Sequence, residues 1–339
     1  MTQIYNWLYE YISPIFGYIM LGIYKLIGGF GGYGFALILF TIFARCLMLP
    51  TAITQQKGMA KQQRLAPKIR HIQERYAGNQ QKIQEETQAL YQRESYNPMS
   101  AGCLPMLIQM PLIIGLFGVM YNPLRYALGI GVGEIETITN IFKEVASASS
   151  NSDLSSLVAS KANERYYPMY IIQHFSEIKS ALVQSGDVSA STIGAIEEFV
   201  ADKKFELFGL QLGVKPSYKT PNIYWAIPIL SGLTSLFQSV LMQAQQKKAN
   251  PAMASNPASG CMTIFMPLMS VYFTFLFPSG IGVYWIVSNI FSTVQSSVMK
   301  KLNGPQREIA KLMIKETAER RSRENSIKRT VDYLSLIHI

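Results

Sequence analysis

The feature that most constrains this chain is an apolar run of twenty residues, Gly34 to Ile53, whose one charged residue is Arg45. At a rise of about 1.5 Å per residue, a helix of this length crosses the roughly 30 Å hydrocarbon core of a bilayer. Arg45 falls close to the middle of the run. A guanidinium at that depth costs at least about 2.5 kcal/mol, so the fold must supply water or polar partners to it.

Two arrangements can solvate this cation. Arg45 can snorkel to a lipid headgroup, but its side chain reaches about 6 or 7 Å, whereas either interface lies roughly 12 to 15 Å away along the helix. Alternatively, Arg45 lines a water-filled cavity inside a helical bundle, where its permanent charge attracts negative groups. The distances favour the cavity, and the snorkelling alternative stays open.

The composition predicts a protein that crosses the membrane several times. Hydrophobic residues make up 49% of the 339 residues and charged residues only 15%, and the apolar residues are gathered into long runs. We expect no cleaved leader, because no signal or transit pattern opens the chain. Cys46, Cys103 and Cys261 lie in or beside apolar runs without paired spacing, so we expect no disulfide framework, no metal site and no cofactor.

Loop charges predict five spans, with the amino terminus outside and the carboxyl terminus in the cytoplasm. Residues 55–98 carry eight Lys and Arg against four acidic residues, and the tail from Lys300 carries ten against five, which is typical of cytoplasmic segments. Residues 123–222 carry nine basic and eleven acidic residues and are predicted to lie outside. The predicted segments are an interfacial amphipathic helix with a Gly-rich corner at 1–32, transmembrane helices at 33–54, 99–122, 223–243, 260–278 and 280–299, a cytoplasmic helical hairpin at 55–98, an extracytoplasmic loop with a helical insertion at 123–222, a cytoplasmic loop at 244–259 and a basic cytoplasmic tail at 300–339.

The predicted fold class is therefore an all-α polytopic membrane protein, with a five-helix transmembrane core, a cytoplasmic helical hairpin and an interfacial N-terminal helix. The apolar run Ile15 to Ile27 is interrupted by Gly17, Gly22 and Lys25, which favours an interfacial helix, although a sixth span at 14–30 stays open. The last six residues, Leu-Ser-Leu-Ile-His-Ile, read like a translated sequencing-library adapter that is unrelated to the charged tail.

Three local patterns refine this outline. Gly29 to Gly34 matches a dinucleotide-binding pattern, but no strand precedes it, so we interpret it as a flexible corner. Apolar residues at helical spacing, with a turn at Ala77 to Asn79, predict the two helices of the hairpin at 55–98. Within 123–222, helical spacing predicts a small helical subdomain whose parts are joined by flexible turns at the serine-rich stretch 147–156.

The predicted spans contain no Asp, Glu or His. Proton-coupled transport, intramembrane proteolysis and metal-dependent cleavage need such groups at membrane depth, so we predict that the protein is not an enzyme. The last span instead places Ser288, Ser292 and Gln295 on one helix face. These residues either join helices by hydrogen bonds or, with Arg45, line a hydrated groove.

Four segments resemble the YidC/Oxa1/Alb3 family of membrane protein insertases. They are residues 39–50 around Arg45, residues 97–111, the pair Phe237-Gln238 and residues 277–289. The match covers residues 30–125 and 205–302. The chain resembles the shorter, Gram-positive type of the family. It departs from the simpler family members by an insertion at about 130–205.

The resemblance implies five core helices around a groove that is open to the cytoplasm and to lipid and closed on the outside. The family's groove positions in the third and fifth helices correspond by local motif to Gln238 and Trp285. The resemblance also implies groove positions for Gln109 and Asn289. The predicted client-binding residues are Arg45, Gln238, Trp285, Gln109, Asn289, Ser288 and Ser292.

The implied function is an insertase and chaperone of the bacterial plasma membrane, which inserts nascent membrane proteins alone or with the Sec translocon. Arg45 would attract the acidic tail of a client. The apolar helix of the client would then move into the lipid bilayer past an apolar edge of the groove. This edge is predicted at Ile227, Leu230, Leu233, Ile281 and Ile286. The ribosome, through its RNA, and targeting factors are candidate partners of the basic hairpin and tail. The alternative is that these basic segments are plain solvated faces that follow the positive-inside rule. A channel or anion transporter and a purely structural assembly factor are the alternatives.

Overall fold

The computed structural model describes residues 2–27, 30–96, 104–159, 161–249, 257–302 and 305–337. In these residues the fold is all-α apart from one small β-hairpin, which confirms the all-α part of the predicted class. The helices are α1 Thr2–Leu26, α2 Gly32–Leu47, α3 Leu49–Arg75, α4 Gln80–Arg93, α5 Leu104–Tyr121, α6 Pro123–Tyr126, α7 Val132–Ala148, α8 Ser152–Val158, α9 Tyr167–Gln173, α10 Phe175–Ser185, α11 Ala190–Ala201, α12 Ala226–Ala249, α13 Pro257–Leu276, α14 Ser279–Leu302 and α15 Pro305–Ile337. Short 3₁₀ turns lie at Lys161–Tyr166 and Ile223–Trp225, and the strands are β1 Glu206–Leu207 and β2 Leu210–Gln211.

The chain divides into two compact units. The first comprises Met1–Met48, Met106–Leu241 and Gly260–Ser292. The second comprises Leu49–Pro105, Met242–Ser259 and Thr293–Ile339.

One helix of the described residues, Ile223–Ala244, is by itself long and apolar enough to cross a bilayer. Gly32–Leu47 and Leu49–Gln55 qualify as a second span when they are taken together as one broken helix. Gln109–Tyr121 and Thr263–Leu276 are shorter apolar helices. The predicted second and fourth spans begin in or next to segments outside the described residues, and the count of five spans stays a prediction.

The predicted first span at 33–54 is not one continuous helix, because α2 ends at Leu47. The Met48 N–H closes this end by bonding the carbonyl oxygens of Ala44 and Arg45, each at 3.2 Å. Pro50 explains the break, since proline lacks an N–H and its ring clashes with the carbonyl group four residues earlier in a helix. Pro50 instead begins the next helix, where its fixed φ is favourable. Arg45 therefore lies in the last turn of α2 and not at the middle of a helix.

Helix α1 runs without a break through the glycines and the lysine that were expected to interrupt it. It packs closely against α5, where Phe16 and Ser13 occupy the space beside Gly115 and Gly118. Met20 on the same helix is fully buried. The placement of α1 at the membrane surface stays a prediction.

Residues 123–222 form several short helices around their own buried side chains. Ile138, Phe142, Ile178, Leu182 and Ile196 are fully buried. The serine-rich stretch is not simply a flexible turn, since it contains most of α8. The Asn151 side chain caps this helix by accepting a hydrogen bond from the Asp153 N–H at 3.0 Å.

The segment that carries the β-hairpin closes the N-terminal ends of α2 and α14. The Tyr33 N–H donates to the Lys204 carbonyl oxygen at 2.6 Å. The Ser279 N–H donates to Val214 O at 2.9 Å, and the Gly280 N–H donates to Leu212 O at 2.8 Å. The first N–H groups of a helix have no partner within it, so these bonds satisfy them while tying both helices to residues 204–214, the β-hairpin segment.

In the second unit, α3 and α4 are joined by a turn at Tyr76–Asn79. Asn79 caps α4 by accepting a hydrogen bond from the Lys82 N–H at 3.1 Å. An ion pair joins Lys68 on α3 to Glu94 at the end of α4. Helix α15 packs against α3, which connects the basic tail to this helix pair.

Candidate functional site

The candidate site is built around Arg45, in the last turn of α2. Its side chain is half-buried, and Nη2 donates a hydrogen bond to Oγ of Ser288 on α14, a residue with no exposed surface. Nε of Arg45 is buried and has no hydrogen-bond partner within the described ranges.

No carboxylate forms an ion pair with Arg45 in the part of the chain that the structure describes. The groups that compensate its charge are instead neutral dipoles. The hydroxyl of Ser288 is one, and the C-terminal end of α2 is another, since a cation in the last turn of a helix gains about 0.3–1 kcal/mol. The site therefore retains a positive charge that no carboxylate of the described residues neutralises.

A short polar network extends from Ser288 to a third helix. Tyr284 lies one turn before Ser288 on the same face of α14 and is 1% exposed. Nε2 of Gln109 on α5 donates to the Tyr284 hydroxyl at 2.6 Å. The network thus joins α2, α14 and α5, and two of the predicted client-binding residues, Ser288 and Gln109, lie in it with Arg45. That these residues bind a client stays a prediction.

Tyr284 was not among the predicted client-binding residues. The sequence held one signal for it, because Tyr284 and Ser288 are four residues apart and so share a helix face. The residues beside Tyr284 in the sequence are mostly apolar, however. The partner that makes its hydroxyl part of the site is Gln109, which lies 175 positions earlier.

Asn289 and Trp285 contact other helices. Nδ2 of Asn289 donates to Oγ1 of Thr234 on α12 at 3.3 Å, a bond between helices. Trp285 stacks on Phe273 of α13 with ring centroids 6.0 Å apart, and its ring lies 6.4 Å from that of Phe277. No described hydrogen bond joins either residue to Arg45.

Gln238 and Ser292 are half-buried. Neither side chain makes a hydrogen bond within the described residues, so their inclusion in a shared groove stays a prediction. No group of three or more His, Cys, Asp or Glu residues that could hold a metal ion occurs in the described ranges.

The prediction of this apolar edge is partly wrong. Ile227 is 3% exposed and Ile281 is fully buried, so both belong to the core between helices. Leu230 and Leu233 on α12 are exposed, at 47% and 57%. Further exposed apolar residues on the same helix are Ile229, Leu236, Phe237 and Val240.

Sequence comparison identifies the family. The family model described as 60Kd inner membrane protein matches residues 23–306. The chain is 29% identical over 294 residues to "ALBINO3-like protein 1, chloroplastic" of Arabidopsis thaliana, which covers 86% of this chain and 48% of that protein. It is 25% identical over 308 residues to "Membrane protein insertase YidC" of Brucella suis, covering 90% and 38%. It is also 25% identical over 325 residues to "Membrane protein insertase YidC 1" of Listeria monocytogenes, covering 95% and 78%.

The chain spans half or less of the length of the Arabidopsis and Brucella relatives. The family match nevertheless extends over most of this chain, including α2, α5, α12, α13 and α14, and therefore over every residue of the Arg45 network. The predicted resemblance is confirmed: the chain belongs to the 60Kd inner membrane protein family, that of YidC, Oxa1 and Alb3, and is a membrane protein.

Proposed function

We propose that the protein inserts nascent membrane proteins into a bacterial inner membrane and helps them to fold. The observation that carries this proposal is the half-buried Arg45, which is hydrogen-bonded to a neutral hydroxyl and has no anionic partner in the described part of the chain. The names of the relatives from Brucella and Listeria support it.

The proposed mechanism reduces the barrier to moving a short polar tail across the membrane. A groove around Arg45 brings water and one positive charge partway across the hydrocarbon, so an acidic client tail is desolvated over a shorter distance. At about 4 Å and an effective dielectric constant of about 20, the attraction between Arg45 and one carboxylate amounts to about 4 kcal/mol before desolvation. A membrane potential that is negative inside adds an outward pull of about 2.3 kcal/mol per negative charge per 100 mV.

The client helix then leaves sideways into lipid. With Ile227 and Ile281 buried, we propose the exposed apolar side of α12, including Leu230 and Leu233, as the surface along which it leaves. The amino terminus lies outside and the carboxyl terminus in the cytoplasm in this proposal, where the basic hairpin and tail bind ribosomal RNA or targeting factors. The protein acts alone or beside the Sec translocon.

The test is a substitution series at Arg45, with insertion of a client that has an acidic amino-terminal tail as the readout. Arg45→Ala should block insertion while the protein still accumulates in the membrane, and Arg45→Lys should retain much of the activity because it keeps the charge. The matched control is Arg165→Ala, which removes an exposed arginine from the same unit and should insert the client normally.

Normal insertion by the Arg45→Ala variant would remove charge attraction from the mechanism and favour a structural assembly factor. A conductance or anion flux that depends on Arg45 would favour a channel or transporter. The absence of Asp, Glu and His from the predicted spans argues against a proton-coupled transporter.

A further inference from the structure

The tip of the β-hairpin exposes an aromatic side chain, that of Phe208, on a residue with an unfavourable backbone conformation. Leu207 pairs with Leu210, so Phe208 and Gly209 form a two-residue loop, and both have positive φ, at 53° and 78°. Such turns favour Asn or Asp followed by Gly, whereas positive φ is unfavourable for a bulky residue. The Phe208 side chain is 92% exposed, so packing within the chain does not compensate for this conformation.

The fold holds this tip at the N-terminal end of α2. The Tyr33 N–H is bonded to Lys204 O just before β1, and a Cβ at Gly34 would lie 2.7 Å from that of Leu207. Phe208 therefore follows directly on a residue in contact with the first turn of α2. This turn begins the first predicted span.

Two more large apolar side chains are exposed next to this end of α2. Phe30 is 76% exposed and packs edge-on against Phe35 in the first turn of α2, with ring centroids 6.1 Å apart. Leu26, the last residue of α1, is 87% exposed. Along α2 the exposed apolar surface continues at Ile42 and Phe43, as expected of a helix that faces lipid.

We propose that Phe208 anchors the β-hairpin segment in the bilayer, with its ring at the level of the lipid headgroups and upper acyl chains. Aromatic rings are enriched at this depth, and burial there would compensate for the positive φ. The continuity with the exposed surface of α2 favours lipid over a protein partner. The inference depends only on the membrane location of the chain and is independent of the proposed insertion activity.

The test is a spin-label measurement on the full chain, with Cys46, Cys103 and Cys261 replaced by Ala, reconstituted in vesicles of phosphatidylethanolamine and phosphatidylglycerol. A nitroxide is attached at Phe208→Cys or, as matched control, at Val183→Cys, an exposed apolar position on α10. Collisions with oxygen, which concentrates in lipid, are compared with collisions with a water-soluble nickel complex. Oxygen collisions should dominate at position 208 and nickel collisions at position 183.

A second measurement keeps the native side chain at the tip. A label at the exposed position Lys203→Cys is compared with and without Phe208→Asn, because asparagine suits the turn but lacks the aromatic ring. Loss of Phe208 should lower the oxygen accessibility of the label at position 203. The anchor is refuted if position 208 is as open to nickel as position 183, if Phe208→Asn leaves position 203 unchanged, or if a label at 208 is shielded from both reagents, which would indicate a protein contact.

Discussion

The junction between α2 and the β-hairpin segment depends on a residue without a side chain. Gly32 has φ of +67°, a left-handed conformation, and a Cβ at this position would lie 2.7 Å from the carbonyl oxygen of Lys204 and 3.2 Å from its Cα. These are backbone atoms, so no side-chain rotation can relieve the contact. We predict that Gly32→Ala separates the hairpin segment from the start of α2.

The expected loss of stability has two parts. The left-handed conformation costs an L-residue about 1–2 kcal/mol. Displacing Lys204 also breaks its bond with the Tyr33 N–H, which contributes about 0.5–1.5 kcal/mol net. Together these give about 1.5–3.5 kcal/mol. With an unfolding entropy of about 2.1 cal/mol/K per residue, the melting temperature of the 339-residue chain shifts by about 1.4 °C per kcal/mol, so it should fall by at least about 2 °C.

The assay is thermal unfolding of the purified full chain in detergent, combined with hydrogen exchange at the Tyr33 amide. The matched control is Gly22→Ala in α1, where an added Cβ meets no atom within 4 Å. Alanine there should be neutral or stabilising by about 0.5–1 kcal/mol, because glycine is a poor helix former. Equal melting temperatures for the two variants, or unchanged protection of the Tyr33 amide, would refute this account of the junction.

Three further predictions concern the polar network, the inserted segment and the tail. In a double-mutant cycle with Tyr284→Phe and Gln109→Leu, the two changes should be coupled by about 0.5–1.5 kcal/mol in thermal stability, and strictly additive effects would show that their bond contributes nothing. Burial tends to raise the pKa of Glu134, but hydrogen bonds from Thr192 and Ser189 outweigh it and hold that pKa below its usual value. The ionised carboxylate therefore stabilises the fold above the unfolded-state pKa, so Glu134→Gln should lower the melting temperature at pH 7 and have a diminishing effect below about pH 4, whereas a loss that is the same at both pH values would contradict this. Ribosomes should co-sediment with vesicles containing the full chain and dissociate as salt rises, and binding that is insensitive to salt would argue against phosphate recognition by the basic tail.

Much of the fold class and part of the candidate site around Arg45 could be predicted from local residue types. Apolar runs that contain almost no charge require a membrane, and the segments around Arg45, Gln109 and Tyr284 are specific enough to indicate the family. Ser288 was placed with Arg45 because a buried cation needs polar neighbours. Burial was harder to predict, since lipid and protein interior are equally apolar. Hydropathy therefore could not distinguish the buried Ile227 from the exposed Leu230.

The sequence by itself determined that this is an α-helical membrane protein of the 60Kd family with an arginine at a position that needs solvation, because composition and local motifs are properties of the chain. Only the tertiary structure decided which groups surround that arginine, since Ser288 is 243 positions away and its bond depends on how α2 meets α14. The tertiary structure likewise decided that the β-hairpin segment closes the starts of these two helices. Backbone N–H and carbonyl groups make that closure, and because nearly every residue carries them, no pattern of side chains identifies the pairs that will meet.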